Sequence, residues 1–466
     1  MDVTRLGERY HGDQLVVDLG DLELVESELG RLGVSYREPD KDPKDDRLQL
    51  ARLELPGITE EKNDLREKAG QVNGRPDQAL GEWVGKAIGR VTEQGKEDEV
   101  PGLDLLLCVL RARFAYRHDG WTPTVGKNRG VELAKGAPHL GGGLPTPHLG
   151  GGGVGDPQPV AAPAAFTPAA SELAKKAPVG RGIRIAVLDT PLWLHPFLVG
   201  RYIAAPGTTV SPDLSGPTVT AVPQDATQWV TAGHATFASG LVLLRAPGAQ
   251  LEVHRVLDDQ AIGDIWEGAR KIAEVAASGV HIINLSWVCH TYDGQPPLVL
   301  ARAVERLGPE VVVVAAAGNH ARRSPDGELL FPQKPSWPAA FDRVTAVGAS
   351  DDGGLAWFSP RAPWVDLLAP GVDVDSTYLT GKVRTVRVPE GDPYADLEVE
   401  ELLKPFDKFA KWSGTSFATA AVSGQIAADA TSGSGSTVRQ ALDGLLHPAP
   451  DQQADIRPFT LQDLER

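Results

Sequence analysis

The chain has 466 residues with 41% hydrophobic side chains, more than one ordinary domain and enough apolar material for a sizeable core. Its net charge of −16 disfavours nucleic acid as a partner, since phosphate binding needs a basic face. Only two cysteines, Cys108 and Cys289, are present, which argues against a disulfide framework and fits a reducing compartment. No run of about 18 apolar residues exists to span a membrane, and Met1 to Tyr10 alternates charge without a secretory apolar core. A soluble, cytoplasmic protein is expected.

Residues 1–135 read as a small α+β module. Strands are predicted at 14–19, 34–36 and 48–55, the last with clear alternation, and an amphipathic helix at 21–32 carries Leu22, Leu24, Val25 and Leu29. A charged loop covers 39–47, and helices follow near 83–88 and 101–114. Residues 136–170 are dominated by Gly, Pro and Ala and repeat Pro138-His139-Leu140-Gly141-Gly142-Gly143 as Pro147-His148-Leu149-Gly150-Gly151-Gly152. Such a composition reads as a flexible spacer; paired histidines without cysteine or carboxylate make a poor metal site.

From 171 to 466 the pattern changes to apolar strands alternating with helices of small residues, which implies an α/β fold with a parallel sheet covered on both faces. Residues 182–190 are an apolar run that stops at Asp189, and ligands gather at the carboxyl ends of such strands. Residues 233–240 place His234 before a helix of small side chains. Residues 281–286 read as another buried strand, leading into Ser286, Trp287 and Val288. Residues 311–319 form a β-branched strand ending in Ala317, Gly318 and Asn319. Residues 367–371 are a further strand and turn, followed by an insertion around 380–411 whose acidic part, with Leu397, Val399, Leu402 and Leu403, is spaced as a short amphipathic helix. Residues 413–424 then put Ser416 after a glycine turn, at a helix N-terminus whose dipole favours developing negative charge. Taken singly, these are an N-cap, a surface histidine and a turn asparagine.

In combination Asp189, His234, Asn319 and Ser416, in that order, resemble the subtilisin-like serine proteases, whose triad runs Asp, His, Ser along the chain. The resemblance covers about residues 180–430. It implies a subtilisin-like sheet sandwiched by helices, with Ser416 as nucleophile, His234 as general base and acid, Asp189 as its orienting carboxylate, and Asn319 with the Ser416 N–H as oxyanion donors. It also implies that Ser286, Trp287, Val288, Ala317 and Gly318 line a cleft in which an extended protein or peptide substrate pairs by main-chain bonds.

Relatives usually read Ser-Leu-Gly where this chain reads Ser286-Trp287-Val288. The valine is expected to narrow the primary pocket and the indole to enlarge an aromatic wall along the cleft. With Ala420 replacing a usual proline, selective cleavage is expected over digestive proteolysis. Many relatives carry an α+β propeptide, and the N-terminal module fits that role of restraint or targeting. No metal ligand set is recognisable; acidic clusters can hold calcium, which stays open. The N-terminal module and the 380–411 insertion are candidate docking surfaces for a regulator. A second class of function is a silent or latent subtilisin scaffold acting in partner recognition, and a third a peptide ligase or macrocyclase.

Overall fold

The computed structural model describes residues 2–5, 8–93, 100–133, 157–166, 179–199, 219–220, 227–321, 334–352, 354–387, 400–432, 435–449, 455–460 and 462–463. In chain order the elements that position the site begin with β1 (Glu8–Asp18), α1 (Leu22–Leu32), β2 (Leu50–Glu54), α2 (Gln78–Glu93), α3 (Gly102–Arg117) and β3 (Val125–Leu133). Next come β4 (Arg184–Asp189), α4 (His234–Arg245), β5 (Gln250–Arg255), β6 (Ile262–Asp264), α5 (Ile265–Ala276), β7 (Ile282–Leu285) and β8 (Trp287–Val288). The remainder are α6 (Leu298–Glu305), β9 (Val312–Ala316), β10 (Thr345–Asp351), β11 (Leu367–Pro370), β12 (Val374–Arg387), β13 (Glu400–Trp412), α7 (Thr415–Ser432) and α8 (Val438–Leu446).

The central sheet has the order β5-β4-β7-β9-β10-β11, all parallel. Because strand side chains alternate, β4 feeds both faces. Ile185 and Val187 join Phe237 of α4 and Val422 of α7 in one core, while Ala186 and Leu188 join Trp266 of α5 and Ile283 in the other. The chain leaves β4 toward β5 on one side and returns to β7 on the other, so Asp189 ends a strand where the strand order reverses.

The N-terminal module is a second sheet, with β2, β1 and β3 adjacent and antiparallel. One face carries helices α1, α2 and α3, with Leu106 of α3 packed into the cluster over Leu15, Val17 and Leu53. Its other face presents Val16 and Leu50 to the core built on Trp266. At the edge of this contact Arg270 pairs with Asp42 at 2.7 Å and with Asp45 at 3.0 Å, Arg302 pairs with Asp18, and the Trp266 indole N–H donates to the Asp42 carbonyl at 3.1 Å. The module is therefore docked on α5 and α6 by an apolar centre with an ionic rim.

Three local expectations change. Residues 34–36 are not a strand; the chain makes one bridge there, Arg37 to Glu54, since a single apolar pair around Ser35 offers too little to hold a ladder. Residues 400–412 are not helical but β13, paired antiparallel with β12 in a long hairpin. The aromatic residues Phe406, Phe409 and Trp412 anchor it in the core over Tyr378, and this packing overrides the local leucine spacing; Leu397 and Val399 lie outside the described residues. Within the Gly/Pro/Ala-rich stretch, Gln158–Pro159 adds a short strand to β13, and Phe166 packs against Phe197 at 4.7 Å. The two histidine repeats lie outside the described residues.

His195 ties the hairpin to the segment after β4. Its Nε2–H donates to the Lys408 carbonyl at 2.9 Å and its Nδ1 accepts from Phe197 N–H at 3.1 Å, so only the neutral ring satisfies both. Burial, the largest influence, pushes its pKa from 6.5 down to about 4. A group depressed in the folded state stabilises above its unfolded pKa, and that share is lost as pH falls through the folded one. Acidification from pH 6.5 to 4 should therefore cost about 3 kcal/mol through this group alone. Urea unfolding of the parent and His195→Gln across that range should give a flatter pH dependence in the variant.

Candidate active site

Asp189 is fully buried at the end of β4. Its carboxylate accepts from Thr190 N–H at 2.7 Å and from His234 Nδ1 at 2.8 and 2.9 Å. A buried carboxylate is tolerable only when so partnered, and the bond fixes Nδ1 as the protonated nitrogen, leaving Nε2 as the free base. His234 opens α4, held by Ala235 N–H donating to Thr190 Oγ1 at 3.1 Å. The imidazole is walled by Trp412 at 5.6 Å and Phe417 at 5.3 Å between ring centroids. Phe417 is the neighbour of Ser416, so the imidazole and the start of α7 lie side by side.

Ser416 is the second residue of α7. Its Oγ–H donates to the Ser286 carbonyl at 3.2 Å, while the Ser286 hydroxyl donates back to the Ser416 carbonyl at 3.2 Å. Asn284 continues this lattice, donating to Ser286 Oγ at 3.0 Å and accepting from Ser423 at 2.9 Å. The hydroxyl of Ser416 is thus turned to the cleft strand rather than to His234. Small residues let the segments close in. A Cβ on Gly371 would lie 2.7 Å from Ala349 Cβ and 2.9 Å from the Gly414 carbonyl, and Gly414 N–H donates to Gly371 O at 2.7 Å.

Asn319 follows β9 and is 3% exposed. Its Oδ1 accepts from Thr415 N–H at 2.9 Å, and Gly318 N–H donates to Thr415 Oγ1 at 3.2 Å. With its oxygen engaged, the side-chain amide presents Nδ2 beside Gly414, next to Ser416. Ala317 is fully buried and bonded to the Val347 carbonyl at 2.9 Å. Gly318 has φ +102°, where an L side chain is strained.

The edge of β8 is paired with β3. β3 lies between β6 and β8, with Glu132 opposite both Ile262 and Val288 and Leu133 opposite Trp287, antiparallel on each side. Trp287 does not form an exposed wall: it is fully buried in one cluster with Val131, Leu133 and Trp266, because β3 covers it. Val288 packs on Ala316, so its side chain does fill space that a glycine would leave open. Among the described residues no three His, Cys, Asp or Glu side chains gather as a metal site, and no helix is long and apolar enough to cross a membrane.

Residues 180–455 match the model of the Subtilase family, Peptidase_S8. The chain belongs to this family of subtilisin-like serine proteases, with the parallel sheet and helices described above. It is similar to subtilisin Savinase of Lederbergia lenta, at 32% identity over 212 residues, 43% of this chain and 67% of that protein. It is also similar to a thermostable alkaline protease of Halalkalibacterium halodurans, at 32% identity over 43% of this chain and 50% of that one. It thus spans two thirds of the first and half of the second. Among solved structures, fervidolysin of Fervidobacterium pennivorans, a keratinolytic enzyme related to subtilisin, shares the fold with a TM-score of 0.51 and 17% identity, covering 92% of this chain and 56% of that one.

Sequence reasoning did not single out Trp412, Phe417, His290 or His320. Trp412 and Phe417 flank the Ser-Gly-Thr-Ser run, and that adjacency was the available signal; the histidines follow Cys289 and Asn319 with no spacing that marks them. The glycine requirement at 318 is directly testable. A Cβ there would stand 2.7 Å from His320 Nδ1 and 3.0 Å from Ser336 Oγ. Gly318→Ala should destabilise by about 2 kcal/mol or more, from a disfavoured φ plus this contact, measured as a lowered midpoint of thermal unfolding.

Proposed function

We propose that the chain is a serine endopeptidase in which Asp189, His234 and Ser416 act as the catalytic triad, restrained by its own N-terminal module. The observation that carries the first part is the Asp189–His234 pair at 2.8 Å beside a serine at the start of a buried helix. In the mechanism, His234 Nε2 takes the Ser416 proton as Oγ attacks the peptide carbonyl, and the carbonyl electrons move to oxygen. That oxyanion is met by Asn319 Nδ2–H and the Ser416 N–H at the positive end of α7. The imidazolium, stabilised by Asp189, then protonates the leaving amine as the C–N bond breaks, and water repeats the sequence on the acyl-enzyme. For the first step Ser416 Oγ must leave the Ser286 carbonyl and turn to His234, so the arrangement described is a resting one.

Restraint is supported by β3. An extended substrate adds to cleft strands through main-chain bonds, and β3 already fills the space between β6 and β8. From Glu132 opposite Val288 to Leu133 opposite Trp287, it runs in the direction of Ser286. Protein or peptide substrates would compete with β3 for these edges, and a regulator that lifted the module would free them.

Ser416→Ala should abolish hydrolysis, and Asn319→Ala should lower kcat by on the order of 10²–10³, the cost of one oxyanion donor in a subtilisin. Full hydrolysis of a peptide by purified Ser416→Ala protein would sink the reading. Self-cleavage is expected within the first residues after Leu133, read by mass spectrometry over time and absent from Ser416→Ala. In Leu133→Asp, whose new charge would be buried against Trp287, labelling of Ser416 by a fluorophosphonate should run at least tenfold faster than in the parent; equal rates would argue against restraint by β3.

A further inference from the structure

Beside the catalytic residues lies a group of poorly satisfied buried polar atoms. Among the described residues His320, 2% exposed, makes no well-formed hydrogen bond through either ring nitrogen, only a weak one with the Lys334 backbone, and Ser336 Oγ and Thr291 Oγ1 are buried without a partner. His320 Nδ1 and Ser336 Oγ converge on the open face of Gly318, at 2.7 and 3.0 Å from where its Cβ would be. His290 stands edge-on to His320 with ring centroids 5.0 Å apart. Each unsatisfied buried polar group costs about 1–3 kcal/mol, and a native protein that gathers several of them in one place needs a reason. Convergent polar groups at the wall of a cleft are how binding sites fix their ligands.

The register of β3 places this group relative to a substrate. Leu133 lies opposite Trp287, so a substrate in the same register sets its next residue opposite Ser286, whose carbonyl holds Ser416 Oγ. That is the residue whose carbonyl Ser416 attacks. Its side chain enters between the 286–290 segment and the 317–320 segment. Trp337 closes the far side, where its N–H donates to the Cys289 carbonyl at 2.9 Å and its carbonyl accepts from Cys289 N–H at 2.7 Å. Val288 on Ala316 narrows the entrance.

The charge of the surroundings selects the ligand. Burial is the main cause that pushes His290 down to about 4 and His320 to about 3, so both rings are neutral at neutral pH. The other charge that reaches His290 is the ammonium of Lys334, which donates to the Tyr292 carbonyl at 3.0 Å. Among the described residues, no carboxylate is among the charges acting on either ring. Hydroxyl and imidazole donors with one lysine ammonium nearby suit an anionic oxygen ligand.

We propose that His320, Ser336 and His290 select peptides with Asp or Glu at the residue whose carbonyl is attacked. This rests on the peptidase reading given above and names the substrate class of that site. The residue that follows Leu133 in the chain is Ala134, which offers no carboxylate, so the chain's own segment would be a slow substrate, as a restraining segment must be.

The test uses the full chain after incubation for self-processing, with fluorogenic peptides identical except for Glu, Asp, Gln, Asn, Leu, Phe or Lys at the cleaved residue. The kcat/KM for Glu or Asp is expected to exceed that of the matching amide and of the apolar residues by tenfold or more. In His320→Leu, and in the milder Ser336→Ala, the Glu-to-Gln ratio should fall toward one, with thermal unfolding and fluorophosphonate labelling reporting a folded protein with a reactive Ser416. A preference for Leu, Phe or Lys, or an unchanged Glu-to-Gln ratio in a His320→Leu protein that still labels, would overturn the proposal. If the parent neither labels nor hydrolyses any peptide, the peptidase reading itself falls, and the proposal with it.

Discussion

One buried carboxylate organises the centre of this molecule. Asp189 has no access to water, and an ionised carboxylate in that position is costly unless donors meet it from within the protein. Thr190 N–H and the His234 imidazole supply them, so the end of β4 and the start of α4 are tied at one point, and the tautomer of the base follows from that tie. The rest of the site is built outward by similar exchanges of backbone and side-chain groups. Asn319 Oδ1 takes Thr415 N–H, Thr415 Oγ1 takes Gly318 N–H, and Ser286 and Ser416 trade a hydroxyl and a carbonyl in each direction. Asp189 and His234 form one bonded set and Asn319, Ser286 and the Thr415–Ser416 turn another, each held by groups that would otherwise be orphaned.

Close approach is the second requirement, and small side chains meet it. A Cβ on Gly424 of α7 would stand 2.7 Å from the Val242 carbonyl of α4, and one on Gly240 would meet the hydroxyls of Thr377 and Ser376 at 2.3 and 2.4 Å. The two helices that deliver the histidine and the serine therefore run nearly in contact, with the β12–β13 hairpin against them. The same hairpin ends on Trp412, whose ring walls the imidazole. An element inserted ahead of Ser416 thus contributes directly to the surroundings of His234.

The N-terminal module and the cleft share a sheet. β3 belongs to the module through β1 and to the peptidase unit through β6 and β8, so removing it from the cleft would break a ladder, expose Trp287 and separate Arg270 from Asp42 and Asp45. A strand added to an unpaired edge satisfies the backbone groups of both partners, and an apolar centre with an ionic rim resembles a protein interface more than a loose tether. In physical terms, separation of β3 from β6 and β8 and undocking of the module are coupled.

The order Asp189, His234, Asn319, Ser416 was legible in the sequence because each residue ends or begins an element whose local chemistry is strong: a buried strand, a helix of small residues, a β-branched strand, a glycine turn. Helices α1 and α3 and strands β1 and β2 were legible for the same reason, as periodicity over several residues. Local spacing failed where partners from elsewhere decide. The 400–412 segment has helix-like leucines yet is a strand, because Phe409 and Trp412 are worth more in the core than a helix is on the surface. Trp287 looked like a cleft wall and is buried, because β3 arrives from far away in the chain to cover it. The edge-on pairing of His290 with His320 has no trace in spacing at all. Composition and short-range pattern determined the elements and the chemistry they carry, since those depend on neighbours in the chain. Which edges β3 fills, which indole is hidden and which imidazoles meet were decided only by tertiary structure, since each depends on contacts between residues far apart in sequence.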